Sequence, residues 1–190
     1  MPAAWKHGED FFKPTKDELL QMAKECQVRW DTPELTIPPA TMRDEFALEA
    51  GVNDDERRDY DRVAAEFSQK MMAQLRSLYV EVTGDKAGAD SLTAPAIISE
   101  LRDKSPKAVV QEAYWRLSQE RAGLIPVSTN TTGASAFERF LRLEMGSGDD
   151  FENALAATIG ATRAHALRTE EGSWGNRLML GGCPPDSSAR

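Results

Sequence analysis

The chain has 190 residues, of which 41% are hydrophobic and 28% charged, and its 31 acidic and 23 basic side chains give a formal net charge of -8. This length suits one ordinary domain or two small helical lobes. The acidic balance argues against nucleic-acid partners, because nucleic-acid binding is driven largely by Lys and Arg contacts to phosphates. No apolar run approaches the roughly 20 residues of a transmembrane helix, and the first residues lack the features of a secretory signal.

The chain contains two cysteines, Cys26 and Cys183. Two cysteines are too few for the disulfide framework of a small secreted domain, so we expect a reducing, intracellular compartment. Cys26 falls on a predicted apolar helix stripe and is expected to be a buried structural thiol. Cys183 lies in a Gly-Gly-Cys-Pro-Pro run, where its thiol can be exposed and open to oxidation.

Thr15 and Glu18 form a capping-box pattern, which predicts a helix start. The apolar stripe behind it continues to Trp30 at steps of four, three and four: Leu19, Ala23, Cys26, Trp30. The next nine residues, 31–39, contain three prolines and must be extended or turn. We therefore predict an N-terminal arm over 1–14 and a helical hairpin over 15–52.

A second capping box, Asn53 with Glu56, precedes the strongest periodic signal in the chain. A long helix is predicted over 54–83, ended by Gly84. Its apolar face comprises Val63, Phe67, Met71, Leu75, Leu78, Tyr79 and Val82. A helix of ~30 residues is ~45 Å long, so it must run along two lobes or bury part of its stripe against a partner.

Four further helix starts are indicated by capping or proline signals: Thr93 with Pro95, Ser105 with Pro106, Ser135, and Ser147 or Asp149. The last two predict separate helices, the second weakened by Gly160. No period-two run with turn chemistry stands out, so little sheet is expected. The predicted fold is all-α, a helical bundle of helix-loop-helix units with its core over 53–171 and extended N- and C-terminal arms. The C-terminal arm is the glycine-rich tail over 172–190, whose apolar residues suggest docking on this core or on another chain.

Segment 85–96 lies between two predicted helices, and a segment that starts at Ser118 lies in the same context 33 residues later. Each has an aliphatic residue at its eighth position, Leu92 or Ile125. Residues 70–145 thus weakly resemble a degenerate pair of EF-hands of the calmodulin type. The resemblance implies that the two eighth-position residues pair as a minimal sheet. The first loop lacks most calcium ligands and the closing Glu, so we expect calcium binding to be lost.

The sequence contains almost no motif that is typical of a catalytic or metal-binding site. His7 and His165 are the only histidines, and neither has a helical partner that would make a metal pair. Phosphate-binding glycine loops and a convincing nucleophile motif are also absent from the sequence. We therefore predict no catalytic residue, no metal site and no cofactor.

These observations predict a non-enzymatic structural or accessory subunit that contacts other protein chains in a larger intracellular assembly. The predicted partner-binding anchors are the apolar residues of the two arms: Trp5, Phe11, Phe12, Trp174, Leu178 and Leu180. Two alternatives stay open. One is a calmodulin-like, calcium-responsive regulator that binds a target helix. The other is an all-α enzyme with scattered carboxylates and His165, which requires a concave pocket holding an acid of strongly shifted pKa.

Overall fold

The computed structural model describes residues 11, 13–35, 39, 41–169 and 176–184. The described part holds eight helices: α1 Lys16–Lys24, α2 Asp44–Glu49, α3 Asp54–Thr83, α4 Lys86–Ser91, α5 Ala94–Lys104, α6 Lys107–Arg121, α7 Ala136–Ile159 and α8 Ala161–Thr169. It also holds two strands, β1 Gln27–Thr32 and β2 Asn176–Gly181. The predicted predominance of helix is confirmed, and a two-stranded antiparallel sheet is added to it.

Both predicted capping boxes form. The Thr15 hydroxyl accepts a hydrogen bond from the Glu18 amide at 3.2 Å, and the Glu18 carboxylate accepts one from the Thr15 amide at 2.7 Å. Asn53 and Glu56 make the same reciprocal exchange at the start of α3. These bonds satisfy amides that have no partner within the helix, using side chains three residues away, so local sequence suffices to predict them.

Helix α3 spans the 30 residues predicted for it and ends at Gly84, whose φ is +73°. Its apolar stripe is buried by the chain itself, in two successive clusters. The part from Val63 to Met71 packs with α7 and α8, and the part from Leu75 to Tyr79 belongs to the main core. Helix α3 therefore packs along two buried clusters of its own chain. The two-lobe arrangement itself stays a prediction. Like every helix in the described residues, α3 falls short of the combined length and apolar character that a bilayer crossing needs.

The predicted helix from Thr15 to Trp30 is wrong in its second half. Helix α1 ends at Lys24, and Cys26 turns the chain with a φ of +51°. Strand β1 follows and pairs with β2, which lies in the predicted extended tail. The described part of residues 15–52 therefore holds a helix, a strand and a short helix rather than a helical hairpin. The tertiary pairing buries five successive residues of β1, which a lone helix turn would leave partly exposed.

The two helices predicted after Ser135 are one. Ser135 caps α7 as expected, accepting a hydrogen bond from the Glu138 amide at 3.1 Å, but the helix continues to Ile159. Glycines inside a helix each cost about 1 kcal/mol relative to Ala. At position 148, however, only glycine leaves room for the Asp31 side chain, because an added Cβ would lie 2.6 Å from both Asp31 carboxylate oxygens. Close packing of β1 against α7 thus outweighs the local preference for a break.

Two smaller predictions also differ from the structure. Ser105 belongs to the end of α5, where its hydroxyl donates to the Leu101 carbonyl at 2.6 Å, and Pro106 is the cap of α6. Segment 85–96 contains the short helix α4, and neither Leu92 nor Ile125 lies in a strand. The EF-hand resemblance stays a prediction.

Candidate functional site

The β ribbon of β1 and β2 organises the candidate site. Trp30 pairs with Leu178 and Val28 with Leu180, so these residues share one face of the ribbon. Arg29 and Asp31 alternate with them and lie on the opposite face. A disulfide between Cys26 and Cys183 closes the end of the ribbon, with Cα atoms 5.0 Å apart. The prediction of two free thiols is therefore wrong, because the ladder brings the two cysteines together from 157 residues apart.

The first face of the ribbon borders a largely apolar cavity of about 540 Å³. Its other walls come from α5, α6, α7 and the segment after β1. The lining residues are Trp30, Thr32, Pro33, Glu34, Leu35, Ala94, Pro95, Ile98, Ser99, Arg102, Tyr114, Phe140, Leu141, Glu144, Asn176, Leu178 and Leu180. Cavities of roughly 300–1,000 Å³ with apolar walls and a few polar groups are typical of small-molecule sites.

One carboxyl group lies among these apolar walls. Glu144 is 2% exposed, and its Oε1 atom is buried without a hydrogen-bond partner among the described residues. The buried indole nitrogen of Trp30 likewise has no partner there within hydrogen-bond distance and angle. Burial raises the pKa of Glu144 to about 7, and the neighbouring Trp30 indole offsets part of this rise. A carboxyl group in this state can take up or release a proton near neutral pH.

Three buried aromatic rings line the same cavity as Glu144. Trp30, Tyr114 and Phe140 line it from β1, α6 and α7, and each is at most 5% exposed. Phe137 packs on the two rings of the helical side: its centroid lies 5.9 Å from that of Tyr114, edge-on, and 5.6 Å from that of Phe140. These contacts hold the rings in place before any ligand arrives.

The cavity meets solvent along a polar rim. Glu34, Ser99, Arg102 and Asn176 line it and are exposed. Glu34 and Arg102 carry opposite charges, and both are hydrated. The site therefore has a polar entrance and an apolar, aromatic interior with a single buried carboxyl.

We expect Glu144→Gln to change how stability depends on pH. The folded pKa of Glu144 is about 7 and its ordinary value is 4.5, so between these values the folded chain holds a proton that the unfolded chain has lost. The folded state is therefore destabilised as pH rises through this window, by about 3 kcal/mol in total. Denaturant unfolding at about pH 5 and about pH 8 measures this change in the free energy of unfolding. Glu144→Gln should be the more stable protein at the higher pH only; an equal difference at both pH values would contradict the burial argument.

The second face of the ribbon carries an ion-pair network. Arg168 of α8 donates to both carboxylate oxygens of Asp31, at 2.6 and 2.8 Å, and to Asp149 at 2.7 Å. Asp31 and Arg168 are 5% and 8% exposed. A cavity of about 250 Å³ lies beside them, and His165 lines it too, with its Nδ1 atom 2.9 Å from Glu152 Oε1. The bidentate pair ties α8 to the ribbon and so supports the back of the apolar cavity.

The predicted anchors fall in different places. Leu178 and Leu180 are half-buried, contact the main core and line the apolar cavity. Phe11 lies against the second face, with its ring centroid 5.2 Å from the Arg29 guanidinium and 5.6 Å from that of Arg177. Trp5, Phe12 and Trp174, as well as His7, lie outside the described residues.

Sequence reasoning missed Glu144, although a signal was present. Phe137, Phe140, Leu141, Phe151 and Leu155 form the inward stripe of α7. Glu144 falls on the same stripe, three residues after Leu141. Acidic side chains are rarely fully buried unless they are paired, so an acid on a buried stripe marks a candidate site residue. The predicted break near residue 147 hid the continuity of this stripe.

Within the described residues, no three His, Cys, Asp or Glu side chains are grouped as metal ligands. The chemical character of the site therefore has to be judged from Glu144, its aromatic neighbours and the rim. Comparison with protein-family models, with curated proteins and with solved structures finds no match to this chain.

Proposed function

We propose that this protein is a non-enzymatic binding protein that takes an apolar small molecule into the cavity between the β ribbon and helices α5, α6 and α7. The observation that carries the proposal is the cavity of about 540 Å³, lined by the buried carboxyl of Glu144, whose Oε1 atom has no hydrogen-bond partner among the described residues. Burial of such a group without a partner is unfavourable. A ligand that hydrogen-bonds to Glu144 removes part of this cost when it binds, which favours the filled cavity.

The size of the cavity favours a small molecule over a peptide. Its walls come from five separate segments of the chain, and its volume of about 540 Å³ falls within the usual range of small-molecule sites. A helical peptide needs a groove that accepts several turns. The half-buried Leu178 and Leu180 complete one wall, so the ribbon belongs to the binding site.

The test is saturable binding of the uncharged fluorescent probe N-phenyl-1-naphthylamine. Ser99→Trp places a large ring on the rim, and we expect it to weaken probe binding at least tenfold because the entrance narrows. Lys104→Trp is the matched control on the same helix, since Lys104 is exposed and does not line the cavity. Equal probe affinity in the two variants, or no saturable binding to the parent chain, would overturn the proposal.

Acid–base catalysis in the same cavity is a second candidate. It is favoured by the pKa of about 7 of Glu144, since a group that titrates near the working pH is an efficient proton donor or acceptor. His165, which the sequence suggested for an enzyme, lines the other cavity. Binding is supported by the cavity as well as by Glu144, whereas catalysis is supported by the pKa of Glu144 alone, so binding is the function we propose.

The assembly-subunit and calcium-regulator hypotheses stay predictions. The former depends on the arms: if alanine at Trp174 and Leu178 leaves the capture of stoichiometric partner chains unchanged, the tail-docking hypothesis is wrong. The latter predicts heat on titration with calcium at millimolar concentration. The intracellular location is also a prediction, and the bonded cysteine pair removes one argument for it, because disulfides persist mainly in oxidising compartments.

A further inference from the structure

We propose that the ligand of this cavity is an organic cation, an amine with an apolar body, whose ammonium group meets the Glu144 carboxylate beside three aromatic rings. The inference rests on the proposed function and adds the charge and the head group of the ligand. The observations behind it are the charged and aromatic side chains that line the cavity and the exposure of each.

Glu144 is the buried charged residue of the cavity. Glu34 and Arg102, the other charged side chains that line it, are exposed, opposite in sign and on the rim. The other polar side chains of the lining are neutral, among them Tyr114 of α6, which is buried, and Asn176 of β2, which lies on the exposed rim. An ammonium group can leave water at low cost only when a carboxylate pairs with it. Glu144 supplies that carboxylate, and no buried cation of the lining competes for it.

The rings strengthen the choice of a cation. Trp30, Tyr114 and Phe140 line the cavity from three different elements. The face of an aromatic ring is electronegative and attracts ammonium groups, most strongly where water is excluded. An anionic head group would be repelled by the Glu144 carboxylate and would gain no such attraction from the rings. The net charge of -8 also concentrates cations around the chain.

Protonation of Glu144 adds a pH signature. With a pKa of about 7, the group is about one-tenth ionised at pH ~6 and about nine-tenths ionised at pH ~8. An amine that binds only the ionised form should therefore bind up to about tenfold more tightly at the higher pH. A neutral ligand of the same shape should not share this dependence.

The experiment compares three ligands with one apolar body: 4-phenylbutylamine, 4-phenylbutan-1-ol and 4-phenylbutanoate, titrated by calorimetry at pH ~8 and pH ~6. We expect the amine to bind at least tenfold more tightly than the alcohol at the higher pH, and the carboxylate to bind most weakly. In Glu144→Gln, the amine and the alcohol should bind within about threefold of each other. Glu100→Gln, an acid of α5 outside the cavity lining, is the matched control and should keep the preference.

The outcomes separate the two proposals. Equal binding of all three ligands would overturn the cation inference and leave the binding function standing. Tightest binding of 4-phenylbutanoate, or an amine preference that Glu34→Gln removes and Glu144→Gln retains, would also overturn it. Failure of every ligand, together with failure of the neutral probe, would overturn the binding function itself.

Discussion

Replacing Cys183 with serine is expected to lower the free energy of unfolding by about 3–5 kcal/mol. The disulfide to Cys26 closes a loop of 157 residues, so it restricts most of the unfolded chain. Restricting the unfolded chain raises its free energy relative to the folded state, and the effect grows with loop length. Chemical denaturation under oxidising and reducing conditions measures the difference directly.

A double-mutant cycle controls this prediction. If the bond itself is responsible, Cys26→Ser, Cys183→Ser and the double variant lose nearly the same stability, because either single change already removes the bond. Reduction of the parent chain should give the same loss. A parent chain equally stable in its oxidised and reduced forms would contradict the prediction. Loss of the bond should also weaken binding of the neutral probe, since Leu178 and Leu180 lie on the strand that the bond secures.

Arg168→Met is expected to lower the free energy of unfolding by about 3–5 kcal/mol. The change leaves the Asp31 carboxylate, which is 5% exposed, without the guanidinium that donates to both its oxygens. A buried charge that loses its partner bears the full cost of leaving water. Urea denaturation of the parent chain and of Arg168→Met at neutral pH measures this difference in the free energy of unfolding.

Arg163→Met is the matched control, because Arg163 lies on the same helix and pairs with Glu56 at 3.3 Å, where both side chains are a quarter exposed. Partly exposed pairs contribute about 1 kcal/mol or less, so the control should lose far less than Arg168→Met. Adding Asp31→Asn to Arg168→Met should restore part of the stability, since it removes the stranded charge. Equal losses in the two single variants would show that burial of the Asp31 pair is not the cause.

The helix starts at Thr15, Asn53 and Ser135 were predictable because capping is a contact between residues two or three apart. The end of α3 at Gly84 was predictable for a similar reason, since a left-handed residue at a helix end favours glycine. Such signals need no knowledge of what the helix packs against. They account for most of the helical content of the described chain.

The β ribbon was not predictable in the same way. Val28 and Trp30 alternate with charged residues as in a strand, but Ala23, Cys26 and Trp30 also fit the spacing of a helix stripe. A short run supports either period, and the partner strand, 144 or more residues later, decides between them. The pairing also brings Cys26 to Cys183, which is why counting cysteines predicted free thiols.

The acidic charge, the predominance of helix, the caps and the apolar stripe of the longest helix could all be predicted from the amino-acid sequence, because each depends on composition or on neighbours within a few residues. Three features became visible only in the folded chain: β1 is a strand, α7 is unbroken and Glu144 lies in a cavity. Each of these depends on contacts between segments far apart in the chain: the ladder for β1, the Asp31–Arg168 pair beside Gly148 for α7, and walls from β1, α5, α6 and β2 for Glu144. The candidate site is a property of that packing, since an acid on a helix stripe acquires its raised pKa only when distant segments exclude water from it.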